Sequence, residues 1–273
     1  MKIMIAVPVY NRKKYVDILA RSLGECRLIE KADIRVYDDC STDFGIEYLK
    51  EKFSPLKATV QRRQKRSACT ANNYFEMMTD FVGSDNDVLF LCDSDLLLRP
   101  DALEYLERVF PLTDGFMTLY NSDLHFTVKE GEEFDLKLDI GHAAACMSKK
   151  CVSLFLKRNN PGLGDFKLSE TMNGNNIRIL AAKNSRVQHI GVDGKNCAVC
   201  SGIDYSMSFE PLSEHNKEII DELMPLVIKG LSSLIKKLKF QDKYMKHGFF
   251  LHQPVKYLMR KNTVKKLRKL EVK

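Results

Sequence analysis

The feature that most constrains the fold of this chain is an apolar run that ends in two acidic residues. Residues 88–92 read Val-Leu-Phe-Leu-Cys, and Asp93-Ser94-Asp95 follows directly. A short apolar run bounded by polar residues predicts a buried β-strand. Residues i and i+2 of an extended chain point to the same side, so Asp93 and Asp95 can approach one cation. The fold must therefore bring two carboxylates to the end of a buried strand.

Two carboxylates at this spacing suggest a site for a hard divalent ion. Mg²⁺ and Mn²⁺ prefer oxygen ligands and commonly bridge protein carboxylates to substrate phosphates. Aspartate is also a frequent turn former, because its side chain bonds nearby backbone groups. Residues 93–95 alone therefore predict either a metal and diphosphate site or a solvated strand end.

Polar clusters also follow two earlier predicted strands. The strand at 2–9 leads into Tyr10-Asn11-Arg12, and the strand at 34–37 leads into the acidic stretch 38–43. Segments with helical spacing follow these strands, so the pattern favours an α/β fold with a mostly parallel central sheet flanked by helices. Ligands bind outside the carboxyl ends of the strands in such sheets. We therefore expect the three polar clusters to meet in one crevice.

Two local predictions concern the segments between these elements. The Asp, Ser and Thr residues of 38–43 are expected to cap the helix that follows them. Residues 121–135 are expected to form an irregular, acidic connection before further strands at 143–147, 177–181 and 185–190.

The charge of the chain is unevenly distributed. The net charge is +7 over 273 residues, yet 226–273 holds fourteen Lys and Arg against Asp242 and Glu271, which leaves the rest near −5. We therefore predict a main domain over 1–210 and a basic helical extension over 211–273. Leu231, Leu234, Ile235 and Leu238 form an apolar stripe in this extension, which favours either contact with an anionic membrane surface or packing on the main domain. Nucleic acid is not the expected partner.

The composition favours a cytoplasmic protein. No run approaches the roughly 20 apolar residues that span a bilayer, and the N-terminal apolar run is too short for a signal peptide. Eight cysteines at irregular spacing are typical of reduced thiols. We expect a cytoplasmic location, with the basic extension as a means of association with the inner face of the membrane.

Four short motifs, in this order, resemble the family-2 glycosyltransferases of the GT-A fold. They are Val7-Pro-Val-Tyr-Asn-Arg12, Asp38-Asp-Cys-Ser-Thr-Asp43, Asp93-Ser-Asp95 and Val187-Gln-His-Ile-Gly191. The resemblance covers about residues 1–195 and implies a nucleotide-diphospho-sugar transferase fold, so that 1–210 would be the GT-A catalytic domain. It implies a metal-dependent, inverting hexosyltransferase that uses a nucleotide-sugar donor, most often a UDP-sugar. The acceptor would be a hydroxyl of a glycan or lipid-linked molecule, as in the synthesis of surface polysaccharide or lipopolysaccharide.

The resemblance implies roles for particular residues on the nucleoside side of the donor. Pro8, Tyr10 and Asn11 correspond to the backbone shelf that receives the base, and Asp39 corresponds to the acid that bonds it. Asn72 stands where the family usually has arginine. We expect one of two basic residues nearby, Arg63 or Arg66, to bind the donor in place of that arginine.

The resemblance also implies roles on the diphosphate side. Asp93, with Ser94 beside it, matches the position near the ribose and the metal, and Asp95 matches the metal ligand at the diphosphate. His189 matches a histidine that completes the shell of Mn²⁺ or Mg²⁺ in metal-dependent relatives. Alternatively, His189 is a packed histidine of a strand.

Family members use a carboxylate as general base. Asp165, between Gly164 and Phe166, is the closest match, and Glu170 is the second candidate. A base is required because the acceptor hydroxyl must lose its proton as it attacks, and such a group supplies typically 10²–10⁴-fold in rate. Alternatively, Asp165 is only the N-cap of a helix.

Two other functions are compatible with a sheet that carries acidic residues. A nucleotidyltransferase would need a glycine-rich, basic signature after the first strand, which residues 8–12 do not provide. A non-catalytic carbohydrate- or membrane-binding module would not need Asp39, Asp93, Asp95 and a candidate base. The absence of Gly-x-Gly-x-x-Gly and phosphate-loop sequences disfavours dinucleotide enzymes and P-loop ATPases.

Overall fold

The computed structural model of this chain describes residues 1–67, 70–122, 125–159, 165–192, 205–206 and 208–245, without the side chains of 70–71, 165–166 and 230–245. Its strands are β1 (Ile3–Val9), β2 (Asp33–Asp38), β3 (Thr59–Arg62), β4 (Val88–Leu91), β5 (Leu96–Leu98), β6 (Phe116–Thr118), β7 (Thr127–Lys129), β8 (Phe134–Lys137), β9 (Ala145–Ser148), β10 (Ile179–Ala182) and β11 (Val187–His189). Its helices are α1 (Lys13–Gly24), α2 (Ile46–Phe53), α3 (Thr70–Val82), α4 (Ala102–Val109), α5 (Lys149–Arg158), α6 (Asp165–Asn173) and α7 (Glu214–Met245).

A large sheet forms the centre of the molecule. Within the described residues it has nine strands in the order β3-β2-β1-β4-β9-β6-β10-β8-β7. The pairings make seven of these strands run in one direction, with β8 and β9 opposed. The predicted α/β fold, with a mostly parallel sheet flanked by helices, is confirmed.

The first strand shows why both faces of the sheet are covered. Ile5 and Val7 belong to one apolar core with residues of α1, α2 and α4, whereas Met4 and Ala6 belong to a second core with α3, α5 and α6. Successive side chains of a strand point to opposite faces, so an uninterrupted apolar strand requires cover on both. Each large apolar side chain that is fully buried contributes roughly 1.5–3 kcal/mol.

The strand order produces a crevice beside β1. The chain passes from β1 outward to β2 and β3, and then returns to the other side of β1 to form β4. The register pairs Ala6 with Leu91, so the carboxyl ends of β1 and β4 are neighbours. The strand order thus changes direction at β1, and ligands bind outside the carboxyl ends of the strands at such a switch point.

Three local features differ from the sequence predictions. Residues 121–135 are not simply irregular, because β7 lies within this range and β8 begins in it. Helix α2 begins after Gly45 with no side-chain cap, because the side chains of Asp38, Ser41 and Thr42 bond within their own loop or accept from Asn11. Strand β5 was not predicted, and it pairs with β11 in a separate two-stranded sheet.

The beginning of α7 packs against the main body. Ile220, Leu223 and Val227 share an apolar cluster with Tyr15 and Ile18 of α1. The boundary at 210/211 remains a prediction, as does the role of the extension. The stripe at 231–238 falls on positions whose side chains are not described, and 246–273 lies outside the described residues. In the described chain, no helix combines the length and the apolarity that crossing a membrane requires.

Candidate active site

Asp95 is the centre of the charged groups in the crevice. Its Oδ2 lies 2.7 Å from Arg12 Nη2 and 3.1 Å from His189 Nε2. Arg12 follows β1, whereas His189 arrives on β11, whose register pairs it with Leu96 of β5. The pairing of β5 with β11 therefore brings His189 of the fourth motif beside Asp95, the second acid of the third motif.

Asp93 and Asp95 have different proton affinities. Burial raises the pKa of Asp93 to about 6, and the charge of Asp95 adds to this effect, although a hydrogen bond from the Tyr74 hydroxyl opposes it. Burial also acts to raise the pKa of Asp95, but the positive charges of His189 and Arg12 outweigh it and hold this pKa well below its usual value. At neutral pH, Asp95 is therefore a stable anion that attracts cations.

Asn11 connects the first and second motifs. Its backbone N–H donates to Ser41 Oγ at 2.8 Å, and its side-chain Oδ1 accepts from the backbone N–H of Thr42 at 2.6 Å. The backbone N–H of Arg12 donates to Asp43 Oδ2 at 3.2 Å. These bonds fix the loop after β1 to the loop after β2, so the side chain of Asn11 joins two loops of the crevice.

Asp39 and Tyr10 lie beside the basic residues of the segment 62–67. The two carboxylate oxygens of Asp39 accept hydrogen bonds from the backbone N–H and the hydroxyl of Ser67 at 2.8 and 2.7 Å. Arg63 Nε is 3.6 Å from Asp39 Oδ1, and the Arg66 guanidinium lies 3.9 Å from the centre of the Tyr10 ring. Both predicted arginines thus lie beside the residues that were predicted to receive the base.

Gly191 allows a close approach between the fourth motif and Asp95. A Cβ atom at this position would lie 2.2 Å from Asp95 Oδ2 and 2.6 Å from Arg12 Nη2. Such distances are far shorter than van der Waals contact. The glycine of the fourth motif therefore leaves the space that the Arg12–Asp95 ion pair occupies.

The two candidate bases lie on α6. Asp165 is the first residue of the helix, and its side chain is among those not described. Glu170 is exposed and forms an ion pair with Lys167 at 2.7 Å. Ser169 fixes this helix, because its hydroxyl accepts from the backbone N–H of Ile140 at 3.0 Å.

The donor atoms near Asp95 can be compared with the needs of a divalent metal. Two carboxylates and an imidazole are suitable ligands for Mn²⁺ or Mg²⁺. Asp95 is an anion that already contacts a cation, the guanidinium of Arg12. Among the described residues, however, no three His, Cys, Asp or Glu side chains form a ready metal centre. His189 and Arg12 both contact the same oxygen of Asp95. The donor set therefore suits the metal chemically, and a metal would bind by exchange with these contacts.

The structure adds three residues to the predicted site. Arg12 lies in the first motif without a predicted role, and no sequence pattern indicates Tyr74 or His142. The ring of His142 stacks on that of Tyr74 at 4.5 Å between centroids, and the hydroxyl of Tyr74 donates to Asp93. No spacing rule pairs residue 12 with 95, or residue 142 with 74, so these contacts could not be derived from the sequence.

Together, the sheet order, the crevice beside β1 and the acidic pair at its edge define a protein of the GT-A fold. Residues 4–114 match the model of the family described as Glycosyl transferase family 2. The resemblance to family-2 glycosyltransferases is therefore confirmed over these residues, which contain the first three of the four motifs. A search of curated proteins finds no match.

Solved glycosyltransferase structures share this fold. The mannosyltransferase PcManGT from Pyrobaculum calidifontis, in complex with GDP-Man and Mn²⁺, aligns with 94% of this chain and 83% of its own at 13% identity and a TM-score of 0.56. S. aureus TarS 1–349 in complex with UDP-GlcNAc aligns with 83% of this chain at 16% identity and a TM-score of 0.55. The aligned part is 65% of that TarS chain, so the present chain spans less than two thirds of it.

Proposed function

We propose that this protein transfers a sugar from a nucleotide-sugar donor to a hydroxyl group of a glycan or a lipid-linked acceptor, with inversion at the anomeric carbon. The observation that supports this most is the contact of Arg12 and His189 with one oxygen of Asp95. These contacts connect three of the four motifs, because Arg12 follows β1, Asp95 follows β4 and His189 ends β11. The family match over 4–114 and the shared fold favour the same function.

On the nucleoside side, the proposed donor site uses the loop after β1. Pro8, Tyr10 and Asn11 would carry the base, and Asp39 would bond it after exchange of its contacts with Ser67. Arg63 and Arg66 would lie beside Asp39 and Tyr10, where their positive charge would favour the binding of a negatively charged donor. A UDP-sugar is the donor class that we expect.

On the diphosphate side, the proposed role of the chain is to bind and orient the leaving group. Asp93 and Ser94 would contact the ribose side, and Asp93, Asp95 and His189 would hold Mn²⁺ or Mg²⁺. When bound, such an ion neutralises the charge that develops on the departing nucleoside diphosphate. Without the ion, Arg12 would supply the positive charge at the same oxygen of Asp95.

The acceptor hydroxyl needs a base on the opposite side of the sugar. We assign this role to Asp165, with Glu170 as the second candidate. The base would accept the hydroxyl proton as the oxygen attacks the anomeric carbon. The new bond would form on the face opposite to the departing diphosphate, so one displacement inverts the configuration.

A thermal-shift screen tests the donor site. UDP- and GDP-sugars with and without Mn²⁺ are added to the full chain, and the true donor is expected to raise the melting temperature. Binding to the folded state alone adds about 2.7 kcal/mol to the free energy of unfolding at a ligand concentration of 100 Kd.

Two variants make this screen specific. Asp95→Asn is expected to lose most of the donor-induced shift. Asp33→Asn, which removes an acid paired with Arg35 at the opposite end of β2, is expected to retain it. Equal shifts in wild type and Asp95→Asn, or no shift with any nucleotide sugar, would refute the proposal.

A further inference from the structure

We propose that Arg12 is an exchangeable counter-ion of Asp95, which competes with the divalent ion for this carboxylate. The inference rests on the proposed function, because it assumes that Asp95 binds metal. It assigns to Arg12 the control of metal affinity at the site.

The backbone holds Arg12 in a conformation that is uncommon for arginine. Arg12 has φ 67° and ψ 46°, and Asn11 before it has φ 55°. Two consecutive left-handed residues that are not glycine persist only where the surroundings fix them. The hydrogen bonds of this loop to Ser41, Thr42 and Asp43 supply that restraint. The fold thus fixes the point from which the Arg12 side chain reaches Asp95.

The guanidinium is directed onto the carboxylate by specific packing. It lies 4.7 Å from the centre of the Tyr15 ring and 2.7 Å from Asp95 Oδ2. On the other side, Gly191 leaves the space that a Cβ atom would otherwise take from Arg12 Nη2. An arginine that merely covered the surface would need neither the aromatic ring nor the glycine.

The two partners differ in their access to solvent. The side chain of Arg12 is 32% exposed, whereas that of Asp95 is 7% exposed. The cation can therefore withdraw toward water while the anion stays in the site. An arginine and a metal ion that shared Asp95 Oδ2 would be two cations at short range, and their repulsion disfavours joint binding. Metal binding therefore favours the release of Arg12 from this oxygen.

Removing the arginine should consequently tighten metal binding. A charge-assisted hydrogen bond is stronger than a neutral one, and every 1.4 kcal/mol corresponds to a factor of ten in affinity. We expect Arg12→Met and Arg12→Gln to bind Mn²⁺ at least about tenfold more tightly than wild type. Arg35→Met is the matched control, since Arg35 is 26% exposed and pairs with Asp33 at 2.7 Å.

The experiment is a titration of the full chain with Mn²⁺, in which electron paramagnetic resonance measures free Mn²⁺. Circular dichroism establishes that each variant is folded, and two neutral replacements at position 12 guard against the failure of one. Arg35→Met should bind as wild type does, and Asp95→Asn should lose binding. Unchanged or weaker binding in both Arg12 variants would overturn the inference while leaving a metal site at Asp95 intact. Equal binding in wild type and Asp95→Asn would refute that site and the inference together.

Discussion

At the scale of single residues, Gly191 shows how the site depends on one missing atom. Its backbone passes so close to Asp95 and Arg12 that a methyl group would overlap both side chains. His189, two residues before Gly191 in the same segment, also contacts Asp95. A substitution here should therefore disturb the geometry of the site more than the stability of the fold.

We predict that Gly191→Ala lowers the rate of donor turnover by about 100-fold, because a displacement of about 1 Å in a catalytic group has an effect of this size. Donor hydrolysis in the presence of Mn²⁺ measures it. Gly24→Ala is the control, since a Cβ atom there would meet only Leu56 Cδ2 at an ordinary 3.9 Å. Full activity in Gly191→Ala would show that the close approach of this backbone to Asp95 has no part in turnover.

At the scale of elements, the short strand β5 sets the position of His189. It has three residues, Leu96–Leu98, and all are buried. Its antiparallel pairing with β11 sets His189 opposite Leu96, next to Asp95. The apolar run predicted β4 correctly, but three leucines carry no periodicity that separates a strand from the start of a helix. The pairing of β5 with β11, rather than a local pattern, therefore places His189 beside Asp95.

The first turns of helix α7 lie after the predicted domain boundary at 210/211, yet they pack on the main domain. Leu223 is 5% exposed within the cluster shared with α1, whereas Leu226, three residues later, is 48% exposed. Asn216 of the same helix donates a hydrogen bond from Nδ2 to the backbone oxygen of Leu98 at 3.0 Å. The first turns of α7 thus stabilise the face that carries β5.

We predict that Leu223→Asp lowers the free energy of unfolding by at least about 3 kcal/mol, because it places a charge in an apolar cluster. Leu226→Asp should change it by less than about 0.5 kcal/mol, as surface substitutions usually do. Urea denaturation monitored by circular dichroism measures both. Similar effects of the two changes would favour the predicted boundary at 210/211, with α7 as an independent extension.

At the scale of the whole molecule, the separation of charge is the feature that the fold leaves unexplained. The positive charge is concentrated in 226–273, while the rest of the chain is near −5. We propose that this segment brings the crevice to an anionic membrane that carries a lipid-linked acceptor. Each Lys or Arg near such a surface contributes about 1 kcal/mol.

We predict that the full chain sediments with anionic vesicles at low salt, and that raising the salt to about 0.5 M releases it because the charges are then screened. Replacing Lys265, Lys266 and Lys269 by Gln should weaken binding, whereas Lys50→Gln with Lys52→Gln should not. Vesicles of neutral lipid are the second control. No sedimentation with anionic vesicles at low salt would remove the membrane from the proposed function.

The sequence by itself determined the class of fold and the positions of the acidic motifs. Apolar runs such as 88–92 predict strands because burial of both faces leaves no room for polar side chains. Motifs at strand ends predict a common crevice because parallel strands end at the same edge. Local patterns of this kind reflect interactions between residues that are close along the chain.

Only the tertiary structure decided which side chains meet within the crevice. Arg12 and Asp95 are 83 positions apart, and their contact depends on the order of β1 and β4, a strained loop and the absence of a side chain at Gly191. Tyr74 reaches Asp93 from a helix on one face, and His189 reaches Asp95 from β11. Such contacts are set by packing across the whole molecule, which no local pattern encodes.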